Sequence, residues 1–409
     1  MRRIVLLVLM AFILSVPVFA GGQPDTSDQV SLEFFQNKPE AVDTFDALLE
    51  NFMAEFPHIS VTQNQVPEAE TVLMTRLTSN RMPPAIAANA NATFGEIARS
   101  GAFKNWRDNE VSMRVHDAYI DMTQRLVGDM DAIYGIPFTA NANTVLYNID
   151  IFEEHGIDVP MTWSELIAAA DQLQAAGVQP FFHAFADSWT TMVPWNALAA
   201  NIQDRNFPEL LATGQSSFSA QYREVAEKML ILLEYGGSDN FGFGYSDGNQ
   251  AFARGTSAML IQGVWAIGEV LQANPNINLG VFALPVREQA SENLLVSGVD
   301  TIFAIAPARN QAEAEAAEQL IEFLTREDSV YFYIHEERQF PAIQNVVQED
   351  PVMDGIRVYF EEGRLSYFPD HYYPAGMAVA DMNIEFLQHG DVDRFLRDLD
   401  EEYQMITDR

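Results

Sequence analysis

The sequence contains no cysteine, which excludes disulfides, thiolate metal sites and cysteine nucleophiles. It is almost as poor in lysine: Lys38, Lys104 and Lys228 are the only three, and every other basic residue is arginine. Against 58 Asp and Glu stand 23 Lys and Arg, a formal net charge of −35. A chain this negative repels phosphate backbones and anionic lipid surfaces, so nucleic acid is excluded as a partner. An acidic, lysine-poor shell is also what proteins working in high salt tend to carry. Catalytic signatures are missing as well. There is no G-x-S-x-G elbow, no G-x-x-x-x-G-K-[ST] phosphate loop and no G-x-G-x-x-G after a strand. The seven histidines (58, 116, 155, 183, 335, 371 and 389) form no i,i+4 pair, and His335-Glu-Glu337 lacks the second histidine of a zinc motif. With so many carboxylates, a pair spaced for glycoside hydrolysis arises by chance and carries no weight. The expectation is therefore a binder: no catalytic residue, no metal, no cofactor.

What is present begins at the N-terminus. Met1-Arg2-Arg3 is a short basic stretch, Ile4 to Val16 is apolar, and Val18 and Ala20 occupy the −3 and −1 positions of a small-residue cleavage site. This reads as a secretory signal peptide over residues 1–20, because the apolar run is shorter than the roughly 20 residues a bilayer needs. No cysteine follows to carry a lipid anchor. The mature chain is expected free in a periplasm, with a net charge of −37 once Arg2 and Arg3 are gone.

With 48 % hydrophobic residues in 409, the chain can bury a large core, and its length suggests about two to three domains. Short β-type runs alternate with helical patterns, which points to an α/β fold. Val30 to Phe35 reads as the first strand. Phe45, Leu48, Leu49, Phe52, Met53 and Phe56 recur with helical period, Pro57 stops that helix, and Ile59 to Thr62 reads as a second strand. Thr162-Trp-Ser-Glu165 is a capping box whose helix ends at Gly177. Asn310 to Thr325 forms a further capped helix with Leu320, Ile321 and Leu324 on its apolar face. The glycine-rich Phe241 to Gly248 reads as a plain loop, since neither a lysine nor a helix-opening pattern accompanies it. Trp163, Trp189, Trp195, Trp265, Tyr147, Tyr372 and Tyr373 fall in segments that read as loops or element ends. Flat rings offer stacking area to the C–H faces of sugars, and neighbouring amides or acids supply hydrogen bonds to hydroxyls. Trp163, in the first turn of a capped helix, is the exception and reads as core.

Several segments, taken in order, resemble the family 1 extracellular solute-binding proteins of ABC importers, the group that includes the maltodextrin-binding protein. They are Leu32-Glu-Phe-Phe-Gln36 with Phe56-Pro-His-Ile-Ser-Val61; Tyr134-Gly-Ile-Pro137 followed by Val145-Leu-Tyr-Asn148; Gly156 to Leu166 with its Thr-Trp-Ser-Glu core; Gly177-Val-Gln-Pro180; and Phe252 to Met259 with Gly263-Val-Trp265. The resemblance spans residues 30 to about 345. One departure is Asn80 to Ala85, which has Ala85 where the family has an aspartate; residues 345–409 are similar only in general helical character.

The resemblance implies a two-lobe periplasmic-binding fold of type II, with the ligand in a cleft between lobes joined by crossing strands. It places an N-lobe at 21–139 and 300–339 and a C-lobe at 140–299 and 340–409. The implied function is capture of a sugar or oligosaccharide by hinge closure, as a monomer, and delivery to an inner-membrane ABC permease, with no bond made or broken. Carried over position by position, Trp265 would stack on a sugar ring and Asn141 would supply a polar contact from the crossover. Gln36, Asn37 and Lys38 would do so after the first strand, and Asn89 and Asn91 after the third. Trp189 would open into the cleft, Asp300 would accept from two sugar hydroxyls, and Tyr372, with Tyr373, would close the far end. A secreted carbohydrate-active hydrolase, a binding protein feeding a sensor, and a receptor for a polyamine or other cationic solute stay open as alternatives.

Overall fold

A computed structural model describes residues 29–66, 69–374 and 376–408; the expected signal peptide lies outside them. The strands are β1 (Val30–Gln36), β2 (Ile59–Gln65), β3 (Ala85–Asn89), β4 (Ile136–Asn148), β5 (Gln179–Phe182), β6 (Ser257–Gly263), β7 (Leu279–Phe282), β8 (Leu295–Ile305), β9 (Phe340–Pro341) and β10 (Leu365–Ser366). Their order is β2-β1-β3-β8-β4-β6-β5, with β7 and β9 on β4 and β10 on β8. β1 runs parallel to β2 and β3, and β5 runs parallel to β6. β8 is antiparallel to both β3 and β4.

Two long strands organise this arrangement. β4 pairs with β8 and β9 through Ile136–Ala142, then changes partners and pairs with β6 and β7 through Asn143–Asn148. β8 contacts β10 at Leu295 and Val296 and β3 from Thr301 to Ile305. All eleven residues of β8 are buried. Both strands are almost wholly buried although each carries polar residues, Thr139, Asn143 and Thr144 in β4 and Ser297, Asp300 and Thr301 in β8. Register slips around Thr139, within the pairing of β4 with β8. The result is the expected two-lobe α/β fold, with crossing strands between a β2-β1-β3 half and a β6-β5-β7 half.

The local signals behave as their chemistry requires. The helix Val42–Glu55 buries Phe45, Leu48, Leu49 and Phe52. Thr162 and Glu165 complete their reciprocal cap on the helix Trp163–Ala175, and Gly177 adopts φ +79° just beyond it, a left-handed conformation that only glycine takes cheaply. Asn310 accepts from the Glu313 N–H at the start of the helix Gln311–Leu324. The Glu313 carboxylate does not return to Asn310, however; it takes the backbone and guanidinium of Arg309.

Two expectations need correction, those for Trp195 and for Phe241–Gly248. Trp195 is not at an element end: it lies inside the helix Met192–Ile202, fully buried, donating to the Tyr373 hydroxyl at 3.2 Å. The strand at 179 stops at Phe182, and Trp189 follows in a 3₁₀ turn, Ser188–Thr191. The Phe241–Gly248 stretch does open a helix. Gly244 is the N-cap of Tyr245–Ala253, and Asp187 accepts the Tyr245 N–H from across the chain at 2.7 Å; a cap supplied by a residue 58 positions away leaves no local signature. The C-terminal helices pack on the second half: Phe395 stacks on Phe386 at 4.2 Å and meets Trp195 edge-on.

Candidate ligand-binding cleft

A cavity of about 1280 Å³ opens beside the crossing strands. Seven of the ten residues expected to contact ligand line it: Lys38, Asn89, Asn91, Asn141, Trp189, Trp265 and Asp300. Three do not. Gln36 is fully buried, because β1 is sandwiched between β2 and β3 with both faces covered; its amide donates to Gln63 at 2.7 Å, and its side-chain oxygen accepts the Lys38 backbone N–H. Asn37 lines a small separate groove with Glu70 and Phe94. Tyr372 packs on Tyr367 at 4.6 Å and lines another groove with Met122 and Leu126. Its neighbour Tyr373 does border the cavity, but its hydroxyl is held 2.8 Å from that of Tyr222 in the core.

Asp300 on β8 is the centre of the site. Its Oδ1 accepts from Lys38 Nζ at 2.7 Å and Asn141 Nδ2 at 2.6 Å, and its Oδ2 accepts from Gln339 Nε2 at 2.9 Å. The donors come from just after β1, the middle of β4 and the residue before β9, so one carboxylate ties together segments far apart in the sequence. Asp300 is only 7 % exposed, and both its oxygens are already engaged. It therefore organises the protein's own segments; the expected contact with sugar hydroxyls would use the acceptor positions these bonds leave free. Burial disfavours the Lys38 ammonium, but Asp300, Glu40 and Glu70 outweigh that cost and raise its pKa above the ordinary lysine value.

These bonds also fix amide orientation. With Nδ2 of Asn141 and Nε2 of Gln339 committed to Asp300, their carbonyl oxygens find no protein donor. Asn143 is in the same state, its Nδ2 donating to the Val193 carbonyl at 3.0 Å. An unpaired buried acceptor costs about 1–3 kcal/mol, so these lining residues favour a partner rich in O–H donors. Asn89 and Asn91 are held from behind by Glu70, whose Oε1 accepts both amides, at 2.9 and 3.2 Å. Asn91 also caps the helix Ala92–Arg99 through its oxygen.

Trp265 explains the Gly-x-Trp spacing. Its indole lies flat on Gly263, where any Cβ would sit 2.0 Å from the ring, and its Nε1 donates to Gln262 at 3.2 Å. Glycine at the end of β6 is thus the condition for the ring to border the cavity. Trp189 is 43 % exposed and leans on Tyr245, ring centres 5.1 Å apart.

Sequence reasoning missed the acidic and C-terminal parts of the lining. Glu40, Glu269, Glu336, Glu337 and Asp370 all border the cavity, as do Phe368 and Met377. Asn249 donates to Glu269 at 2.8 Å, and Thr44 to Glu337. Burial first, and then the charges of Glu40, Glu336 and Asp300, push the Glu337 carboxyl up to about 7, against the Thr44 hydrogen bond, which favours its ionised form. Among the described residues, no cluster of metal-ligating side chains occurs and no helix is long and apolar enough to cross a membrane.

The family model for bacterial extracellular solute-binding proteins matches residues 38–331. The chain belongs to that family. It is 25 % identical over 363 residues, 84 % of this chain and 83 % of the relative, to the multiple sugar-binding protein of Streptococcus mutans serotype c. The solved structure of the solute-binding protein RafE in complex with raffinose superposes with a TM-score of 0.80 and 26 % identity, covering 92 % of this chain and all of that one. A shorter match, 24 % identical over 42 % of this chain and 40 % of the relative, links it to the sn-glycerol-3-phosphate-binding periplasmic protein UgpB of Brucella abortus. Membership of an extracellular family makes this binding protein secreted or periplasmic.

Two outcomes follow from the geometry. Asp300→Ala leaves the Lys38 ammonium buried without its partner and should cost about 3–5 kcal/mol in urea unfolding, with Lys38→Met in the same chain recovering most of the loss. Glu337 binds a proton in the folded state at pH values where the unfolded chain has released it. Its contribution therefore falls as pH rises from about 4.5 through about 7. Glu337→Gln should raise the thermal midpoint at pH 8, by an amount on the order of 1–2 kcal/mol given the group's partial exposure, and leave it unchanged at pH 4.

Proposed function

We propose that this protein is the periplasmic receptor of an ABC importer, capturing a sugar or oligosaccharide by closing its two lobes and presenting the closed form to an inner-membrane permease. The observation that carries the reading is the pairing of two accessible indoles, Trp189 and Trp265, with the amides of Asn89, Asn141 and Asn143 in one cleft. Rings stack on the C–H faces of a pyranose, while amide oxygens left without donors take its hydroxyls. The volume of about 1280 Å³ exceeds the ~300–1,000 Å³ usual for drug-sized ligands, which suits more than one sugar unit. The multiple sugar-binding relative and the raffinose complex point the same way.

In this reading the lobes are 21–139 with 300–339, and 140–299 with 340–409, and the hinge lies where β4, β8 and the segment before β9 meet at Asp300. A ligand touching both lobes lowers the free energy of the closed form and so shifts an existing equilibrium. The receptor acts as a monomer, is exported by cleavage after Ala20, and makes or breaks no bond. The six carboxylates of the lining give one alternative its own support: a polyamine or other cationic solute would bind more weakly as salt rises, whereas a neutral sugar would not.

Trp265 provides the sharpest test. Trp265→Ala should weaken binding of raffinose, or of whichever neutral oligosaccharide proves to raise the melting temperature most, by on the order of 2 kcal/mol, with the unfolding midpoint of the free protein nearly unchanged. Equal affinity by calorimetry would reassign the ring to packing.

A further inference from the structure

The charges of the lining are unbalanced in a way that sugar binding alone does not require. Glu40, Glu269, Asp300, Glu336, Glu337 and Asp370 face Lys38 and Arg338, with His371, Tyr245 and Tyr373 the other titratable groups of the lining. Both cations have a carboxylate beside them: Lys38 donates to Asp300 at 2.7 Å, and Arg338 lies 3.2 Å from Asp350. A phosphate or carboxylate entering the cleft would meet a ring of anions from both halves and only these two charge-compensated cations. Glu40, Glu336 and Glu337 flank one side, and Glu269, with Asp370, lies on segments of the other.

We infer that the cleft is a charge filter, admitting uncharged sugars and rejecting those that carry phosphate or carboxylate, with Glu40, Glu269, Glu336 and Glu337 as the specificity-determining residues. The inference rests on the sugar-binding reading for its ligand class, though not for its electrostatics. The crowding is visible at Glu337, whose carboxyl, besides being buried, is held partly protonated near neutrality by its acidic neighbours. Lobe closure would bring the two acidic walls together and exclude water, which strengthens the field. The filter sets this protein apart from its glycerol-phosphate-binding relative.

The distribution of tryptophan allows a test that needs no ligand. Trp106, Trp163 and Trp195 are buried, at 1 %, 9 % and 0 % exposure, so quenchable fluorescence arises from the cavity indoles Trp189 and Trp265. At pH 8 and about 20 mM ionic strength, caesium should quench at least about threefold more effectively than iodide, as a potential of one kT or more dictates. A Glu40→Gln, Glu269→Gln, Glu336→Gln and Glu337→Gln variant should narrow that ratio, while Asp398→Asn, Glu401→Gln and Glu402→Gln on the distant helix Val392–Thr407 should leave it. Equal quenching by the two ions, or no response to the cavity substitutions, overturns the filter. In parallel, a melting-temperature screen should find stabilisation by a neutral oligosaccharide such as raffinose and affinities at least 100-fold weaker for sn-glycerol 3-phosphate, glucose 6-phosphate and trigalacturonate. An anionic sugar within tenfold of the best neutral one also overturns it. Asymmetric quenching without stabilisation by any sugar would instead sink the sugar reading and leave the filter standing.

Discussion

One buried carboxylate holds the architecture at its most demanding point. Asp300 receives Lys38 from just after β1, Asn141 from β4 and Gln339 from the segment before β9. These segments are far apart in sequence, and the carboxylate locks them together beside the paired strands β4 and β8. A buried ion pair seldom adds much net stability over a well-packed apolar pair, because desolvating both ions offsets their attraction. Its value here is geometric. Four donors and acceptors of fixed position define how the crossing segments meet, and therefore where the cleft lies.

The consequences spread outward through hydrogen bonds. Committing the Asn141 and Gln339 amides to Asp300 leaves their carbonyl oxygens without donors. Glu70 fixes the Asn89 and Asn91 amides from behind the lining by accepting from both. Amides that could rotate freely in solution are thus pre-oriented, so less ordering entropy is lost when a ligand arrives. The aromatic side is preset by backbone: Gly263 permits the Trp265 ring to lie flat where any side chain would collide. Rigid walls with a small number of committed polar groups suit a cleft that must recognise its ligand quickly.

Much of this was legible in the sequence because it is local. Periodicity located the Val42–Glu55 helix, and Thr162 with Glu165 announced a cap that the structure forms. Tyr134-Gly-Ile-Pro137 and Val145-Leu-Tyr-Asn148 marked the two ends of the long crossing strand. What escaped depends on distant contacts. Gln36 looked like a cleft residue by position, yet a strand covered on both faces buries it. Asp187 caps a helix 58 residues away, so Phe241 to Gly248 read as loop. Glu40, Glu269, Glu336 and Glu337 were invisible among 58 acidic residues, since only the fold brings those four around one cavity. Asp300 was identified for its place in the cleft but not for its organising task, because its donors come from residues 38, 141 and 339.

The account stands or falls on closure of the two lobes around a sugar. Small-angle X-ray scattering on the mature protein, with and without a saturating neutral oligosaccharide already shown to raise its melting temperature, tests this directly. A smaller radius of gyration in the liganded sample is the expected result, since a ligand bridging both walls draws them together. Superimposable scattering curves from the free and saturated protein would contradict it.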